Sequence, residues 1–129
     1  MALGADRERV TVVDDQRGSP TAANDFAKAL LKLCEKDAAK SRTFHLAGSG
    51  TATWFEVATH VMAELEERGL PAAIVEPIKT AYWPTRAARP RNSVLDCGAI
   101  EDAFGIRLPD WRDTVTETIA RTKKRRHAL

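Results

Sequence analysis

The sequence predicts an α/β fold of short strands and about four helices, on three observations. A β-branched run, Val10 to Val13, halts at Asp14, Asp15 and Gln16. A Thr-x-x-Glu signature, Thr53 to Glu56, opens a long apolar period. Pro77, Pro84 and Pro90 then forbid a long regular element before two further helical segments.

Taken in order, residues 1–9 are a polar start expected to be loosely ordered. Val10 to Val13 favour an extended backbone, and their near-continuous apolar character suggests a strand covered on both faces or lying along a groove. Gly18 is expected to take a backbone conformation denied to other residues, and Pro20 suits the first turn of a helix. The chain should turn sharply here, with Ser19 or Thr21 capping the helix and leaving Gln16, Arg17 and free backbone amides aimed at one spot. That spot suits a polar ligand. The plainer reading is that Asp14, Asp15 and Ser19 only satisfy amides of a tight turn.

From Thr21 to about Lys36, the residues Phe26, Leu30, Leu33 and Cys34 recur at helical spacing, with Asp25 near the amino end. A polar link, residues 37–42, leads to a second short strand, Thr43 to Ala47, ending in Gly48, Ser49 and Gly50. A glycine turn after a strand invites a phosphate-binding reading, but Thr53 stands where the dinucleotide fingerprint needs another glycine, so a plain turn is preferred. The helix capped at Thr53 presents Trp54, Val57, Ala58, Val61, Met62 and Leu65 as a broad apolar face and stops at Arg68 and Gly69. His60 lies off that stripe and is expected to face solvent. Ile74 to Ile78 reads as a strand. Cys97 to Phe104 reads as a short helix capped by Asp96 and stopped by Gly105. Asp110 caps a last helix that buries Val115 and Ile119.

The proline-rich crossing from Thr80 to Asp96 sets Arg86, Arg89 and Arg91 beside Tyr82 and Trp83, followed by Asn92 and Ser93. Guanidinium forks bind phosphate oxygens in pairs and aromatic rings stack on bases, so the stretch has the equipment for a nucleoside diphosphate. A surface loop pinned by arginine–carboxylate pairs is the alternative.

Composition narrows the classes. With 129 residues, 43% hydrophobic and 29% charged, one domain is the default. The formal charge of +2 is too small to argue for nucleic acid. The basic residues from 121 to 129 read as a solvated helix end; salt-dependent DNA binding would be needed to make them a nucleic-acid arm. Cys34 and Cys97 lack metal-ligand spacing, no run approaches a membrane span, and nothing near Met1 resembles a signal peptide, which makes the cytoplasm the expected compartment.

Four motifs occur together: VVDDQRGSPT, FHLAGSGTATWFEVA, RPRNSVLD and FGIRLPDWRDTV. The set closely resembles the carboxyl-terminal part of the dTDP-4-dehydrorhamnose reductase family of extended short-chain dehydrogenases, from about Val10 to Ile119. The resemblance implies reduction of dTDP-4-dehydro-L-rhamnose to dTDP-L-rhamnose with NADPH or NADH. In that family an amino-terminal Rossmann domain carries the glycine fingerprint and a YxxxK pair. Neither is in this sequence: its single tyrosine is Tyr82, and Arg86 stands four positions on.

The resemblance therefore implies a substrate-binding lobe, residues 10–120, lacking the Rossmann domain, binding no cofactor and inactive alone. The strand Thr43 to Ala47 would add to the missing sheet, and a homodimer is one assembly open to it. Gln16, Pro20 and Thr21 would line the dTDP-sugar pocket, and Arg89, Asn92 and Ser93 would contribute donors, with Arg89 on the diphosphate. The competing reading is a non-catalytic binding or regulatory module related to the reductase.

Overall fold

The structure, a computed structural model, describes residues 7–36, 42–83 and 85–126. Among the described residues five strands and four helices follow in the order β1 (Arg9–Val13), β2 (Arg17–Gly18), α1 (Ala23–Cys34), β3 (Ala52–Thr53), α2 (Trp54–Glu67), β4 (Ile74–Ile78), β5 (Asn92–Ser93), α3 (Gly98–Phe104) and α4 (Trp111–Arg126). A 3₁₀ turn, Thr80–Tyr82, follows β4.

β1 and β4 pair in parallel, with Arg9 opposite Ile74 and Val13 opposite Ile78. A smaller sheet runs in the order β3-β2-β5, antiparallel between β2 and β3 and parallel between β2 and β5. Two separate parts of the chain, β3 and β5, thus converge on Arg17 and Gly18. β1 is half-buried, with Arg9 and Thr11 exposed, and not fully covered on both faces; α2 lies against the β1–β4 pair.

α2 starts where the capping box dictates. The Thr53 hydroxyl accepts from the Glu56 amide at 3.1 Å, and Glu56 Oε2 accepts from the Thr53 amide at 2.6 Å. It ends at Gly69, whose φ of +66° only glycine adopts freely. His60 is not solvent-facing as the pattern suggested: its ring meets Trp111 edge to face at 5.3 Å, across the contact with α4. Glu64 reinforces that contact by accepting from Thr116 Oγ1 at 2.7 Å, which holds its carboxyl below the usual range.

α1 begins at Ala23 with no side-chain cap, so neither Ser19 nor Thr21 serves it. Its core face is set by Ala29, which packs with Ile106 and Leu108 and is flanked by Phe26 and Leu33. Leu30 is exposed, as are Leu31 and Cys34, because the described residues cover this helix on one side only. Asp25 is buried at 8% and accepts from Thr114 Oγ1 at 3.0 Å, tying α1 to α4.

Residues 42–48 pair with no strand among the described residues, so the expected strand at Thr43 to Ala47 forms no ladder there; the segment is held by side chains instead, Phe44 meeting Phe104 edge to face at 5.2 Å and Leu46 packing on the core. α3 begins at Gly98, whose amide donates to Asp96 Oδ1 at 2.8 Å, and stops at Gly105 with φ +64°. α4 follows Asp110, whose Oδ1 accepts from the Arg112 amide at 2.9 Å, and buries Trp111 and Ile119 at 2% each. It continues to Arg126, so the expected basic tail is in part helix. Among the described residues no helix is long and apolar enough to cross a membrane.

Candidate functional site

The turn after β1 is built by side chains reaching the start of the 3₁₀ turn. Asp15 Oδ1 accepts from the Thr80 amide at 2.9 Å and from its hydroxyl at 2.5 Å, and Asp14 Oδ2 pairs with Lys79 Nζ at 2.9 Å. Asp14 and Asp15 are thus structural, clamping the end of β1 to the end of β4. Gln16 follows, its Nε2 donating to Thr80 Oγ1 at 3.1 Å.

From there the chain enters β2 beside β5. The Arg17 amide donates to the Arg91 carbonyl at 2.8 Å, so it is not one of the free amides anticipated at this turn. Gly18 has no positive φ; what it needs is smallness, because a Cβ there would come within 2.9 Å of Ser93 Oγ. The Arg17 guanidinium donates to Thr51 Oγ1 at 3.1 Å and stands 3.4 Å from Glu56 Oε2. Bonding to the Thr53 amide, with Arg17 nearby, holds the Glu56 carboxyl below its usual range.

These elements enclose an open cleft of about 390 Å³. Gln16, Pro20, Arg89 and Ser93 line it together, along with Arg17, Thr53, Trp54 and Val57. Arg86, Arg89 and Arg91 form no ion pair among the described residues, so no arginine–carboxylate pair there pins the loop. With Arg17 paired to Glu56, Arg89 is, among the described residues, the cation of the cleft that forms no ion pair.

Two anticipated residues stand elsewhere. Thr21 donates to the Ser19 carbonyl at 3.0 Å and accepts from the Gly48 amide at 2.9 Å, and it borders a separate cavity with Val61, Trp111 and Ile119. Asn92 turns its Oδ1 to the Val94 amide at 3.0 Å. Tyr82 and Trp83, 76% and 49% exposed, do not line the cleft; the aromatic wall is Trp54, 62% exposed in the first turn of α2. Sequence periodicity missed it by counting Trp54 into the apolar stripe, although a residue next to a capping threonine sits at the rim of a helix and not along its buried length.

The Gly48–Gly50 turn does not fit a dinucleotide phosphate. Its first two amides are committed, Gly48 to Thr21 Oγ1 at 2.9 Å and Ser49 to the Pro109 carbonyl at 2.9 Å. A carboxylate oxygen of Asp110 stands 2.7 Å from where a Cβ on Gly50 would be. Among the described residues no group of His, Cys, Asp and Glu could hold a metal ion.

The family described as RmlD substrate binding domain matches residues 1–124. A dTDP-4-dehydrorhamnose reductase of Sinorhizobium fredii is 35% identical over 124 residues, 92% of this chain and 42% of its own length. The Escherichia coli K12 reductase of that name is 32% identical over 117 residues, 87% of this chain and 39% of its own. The spore coat polysaccharide biosynthesis protein SpsK of Bacillus subtilis is 38% identical, covering 91% of this chain and 38% of its own. The crystal structure of a dTDP-4-dehydrorhamnose reductase from Clostridium acetobutylicum matches with a TM-score of 0.83 at 29% identity, over 95% of this chain and 41% of that one. A Bacillus anthracis reductase solved in complex with NADP matches with a TM-score of 0.81 at 27% identity, over 93% and 41%. The chain thus spans about two fifths of the length of these relatives, 38% to 42%.

Proposed function

This chain belongs to the RmlD substrate binding domain family, and we propose that it is the sugar-nucleotide-binding part of a dTDP-4-dehydrorhamnose reductase. The reaction is reduction of the 4-keto group of dTDP-4-dehydro-L-rhamnose by NADPH or NADH, in the cytoplasm. The observation that carries this reading is the shared cleft, in which Arg89, with no ion pair among the described residues, faces the same space as Gln16, Ser93 and Trp54.

Arg89 takes the diphosphate, where one guanidinium holds two oxygens. Trp54, Pro20 and Val57 supply an apolar wall for a ring, and Gln16 and Ser93 the polar contacts. Thr21 and Asn92 act on the walls: Thr21 ties the Pro20 turn to Gly48, and Asn92 sets β5 against β2. The nicotinamide supplies the hydride from a part of the reductase outside these residues. Leu30 and Leu31, 44% and 67% exposed on α1, give that part an apolar face to lie against.

Calorimetric titration of the 129-residue chain with dTDP, dTMP and thymidine tests the reading. dTDP is expected to bind tightest, with a Kd on the order of millimolar because the cleft is open, and Arg89→Ala is expected to weaken it roughly tenfold. Equal affinity for dTDP and thymidine would contradict the assignment of Arg89. The chain alone is expected not to oxidise NADPH with the keto sugar nucleotide, and turnover by it would contradict the division of labour.

A further inference from the structure

Gln16 lines the cleft, and the polarity of its carboxamide is set by the residues behind it. Gln16 Nε2 lies 3.1 Å from Thr80 Oγ1, which lies 2.5 Å from Asp15 Oδ1; that oxygen also accepts from the Thr80 amide at 2.9 Å. An ionised carboxylate only accepts, so the one hydroxyl proton of Thr80 is committed to Asp15. Thr80 Oγ1 is left as an acceptor toward Gln16, and only the NH₂ end of a carboxamide can meet it. Turned the other way, Gln16 Oε1 would face another oxygen's lone pair with no proton between them. As placed, Oε1 has no donor among the described residues, on a side chain that lines the cleft.

We infer that Asp15 is a positioning residue for the ligand: acting through Thr80, it locks Gln16 so that Oε1 is presented to the cleft as a hydrogen-bond acceptor. The inference rests on the cleft reading above and deepens it by assigning the chemistry at that wall. Gln16 selects a ligand group that donates, such as an imide N–H or a sugar hydroxyl, and disfavours phosphoryl oxygens, which are left to Arg89. The relay works with Asp15 ionised, and the two hydrogen bonds from Thr80 hold its carboxyl below the usual range.

The test has a ligand-free arm and a binding arm, both on the full chain. In an amide-detected NMR spectrum without ligand, one Gln16 carboxamide proton is expected to be shifted downfield by its bond to Thr80. Asp15→Ala and Thr80→Val should bring the pair to the values of a solvated glutamine, while Asp15→Asn and Thr80→Ser, which keep an acceptor and a hydroxyl, should preserve it. Backbone amides of β4 report that the variants fold.

In the binding arm, dTDP affinity is expected to fall about fivefold to tenfold in Asp15→Ala and Thr80→Val and to hold in the two conservative variants. Gln16 resonances indifferent to Asp15→Ala and Thr80→Val would overturn the relay. Altered resonances with unchanged dTDP affinity would overturn the assigned selectivity. A wild-type chain that shows the Gln16 signature but takes up no dTDP would uphold the relay and overturn the cleft reading instead.

Discussion

Ser93 Oγ occupies the space a side chain on Gly18 would need: a Cβ built there comes within 2.9 Å of that hydroxyl. β2 and β5 meet at this pair, and the same hydroxyl donates to the Arg17 carbonyl at 3.2 Å. The cleft wall is thus made by two residues that are small for each other's sake.

Gly18→Ala is expected to turn the Ser93 hydroxyl away and forfeit one exposed hydrogen bond, costing at most about 1 kcal/mol. Gly48→Ala is different, because its Cβ would stand 2.1 Å from the Pro20 carbonyl oxygen, which is backbone and cannot rotate aside. A loss of about 3 kcal/mol or more is expected there. Urea unfolding of both variants checks the contrast, and equal losses would contradict it.

Thr53→Ala removes the hydroxyl that caps α2, at a position 7% exposed beside the cleft. A loss of about 1 kcal/mol in chemical unfolding is expected. Thr53→Ser should retain most of the stability, and an unchanged Thr53→Ala variant would contradict the role of the box.

Ile119 is 2% exposed on α4, and truncation there leaves a cavity. Ile119→Ala is expected to lose about 2 to 5 kcal/mol, a large share of what a domain of this size has. Leu31→Ala, at a side chain 67% exposed, is expected to stay within about 0.5 kcal/mol. Comparable losses from the two would contradict the assigned core.

Asp15, Glu56 and Glu64 all titrate below their ordinary values, chiefly through hydrogen bonds from Thr80, Thr53 and Thr116 respectively. A carboxyl depressed in the folded state adds stability that is fully present above its unfolded value and is lost as pH falls through the folded one. The thermal midpoint is therefore expected to fall most steeply below about pH 4. A midpoint that rises on acidification through that range would contradict these bonds.

Local chemistry made much of the fold legible. The Thr53–Glu56 box, the stops at Gly69 and Gly105 and the Asp110 start are backbone rules written in single residues, and the structure follows each. Side chains that serve distant segments were not legible. Thr21 has the chemistry of a cap, yet its hydroxyl oxygen accepts from the Gly48 amide, 27 residues away. Asp14 and Asp15 reach across 65 positions to Lys79 and Thr80. Leu30 and the segment from Thr43 to Ala47 misled for another reason: Leu30 lies on a face left exposed among the described residues, and the segment packs Leu46 and Ala47 inward without a partner strand. For the site, Gln16, Pro20, Arg89 and Ser93 were anticipated near one another, whereas Trp54 was hidden because a rim position and a core position look alike at helical spacing.

The most direct measurement is an NMR titration of the 129-residue chain with dTDP. Gln16, Ser93, Arg89 and the Trp54 indole are expected to shift together along one binding curve, while Ile119, at the separate cavity beside α4, stays in place. Shifts confined to residues outside the cleft, or none at high millimolar dTDP, would contradict the claim that this cleft holds the sugar nucleotide.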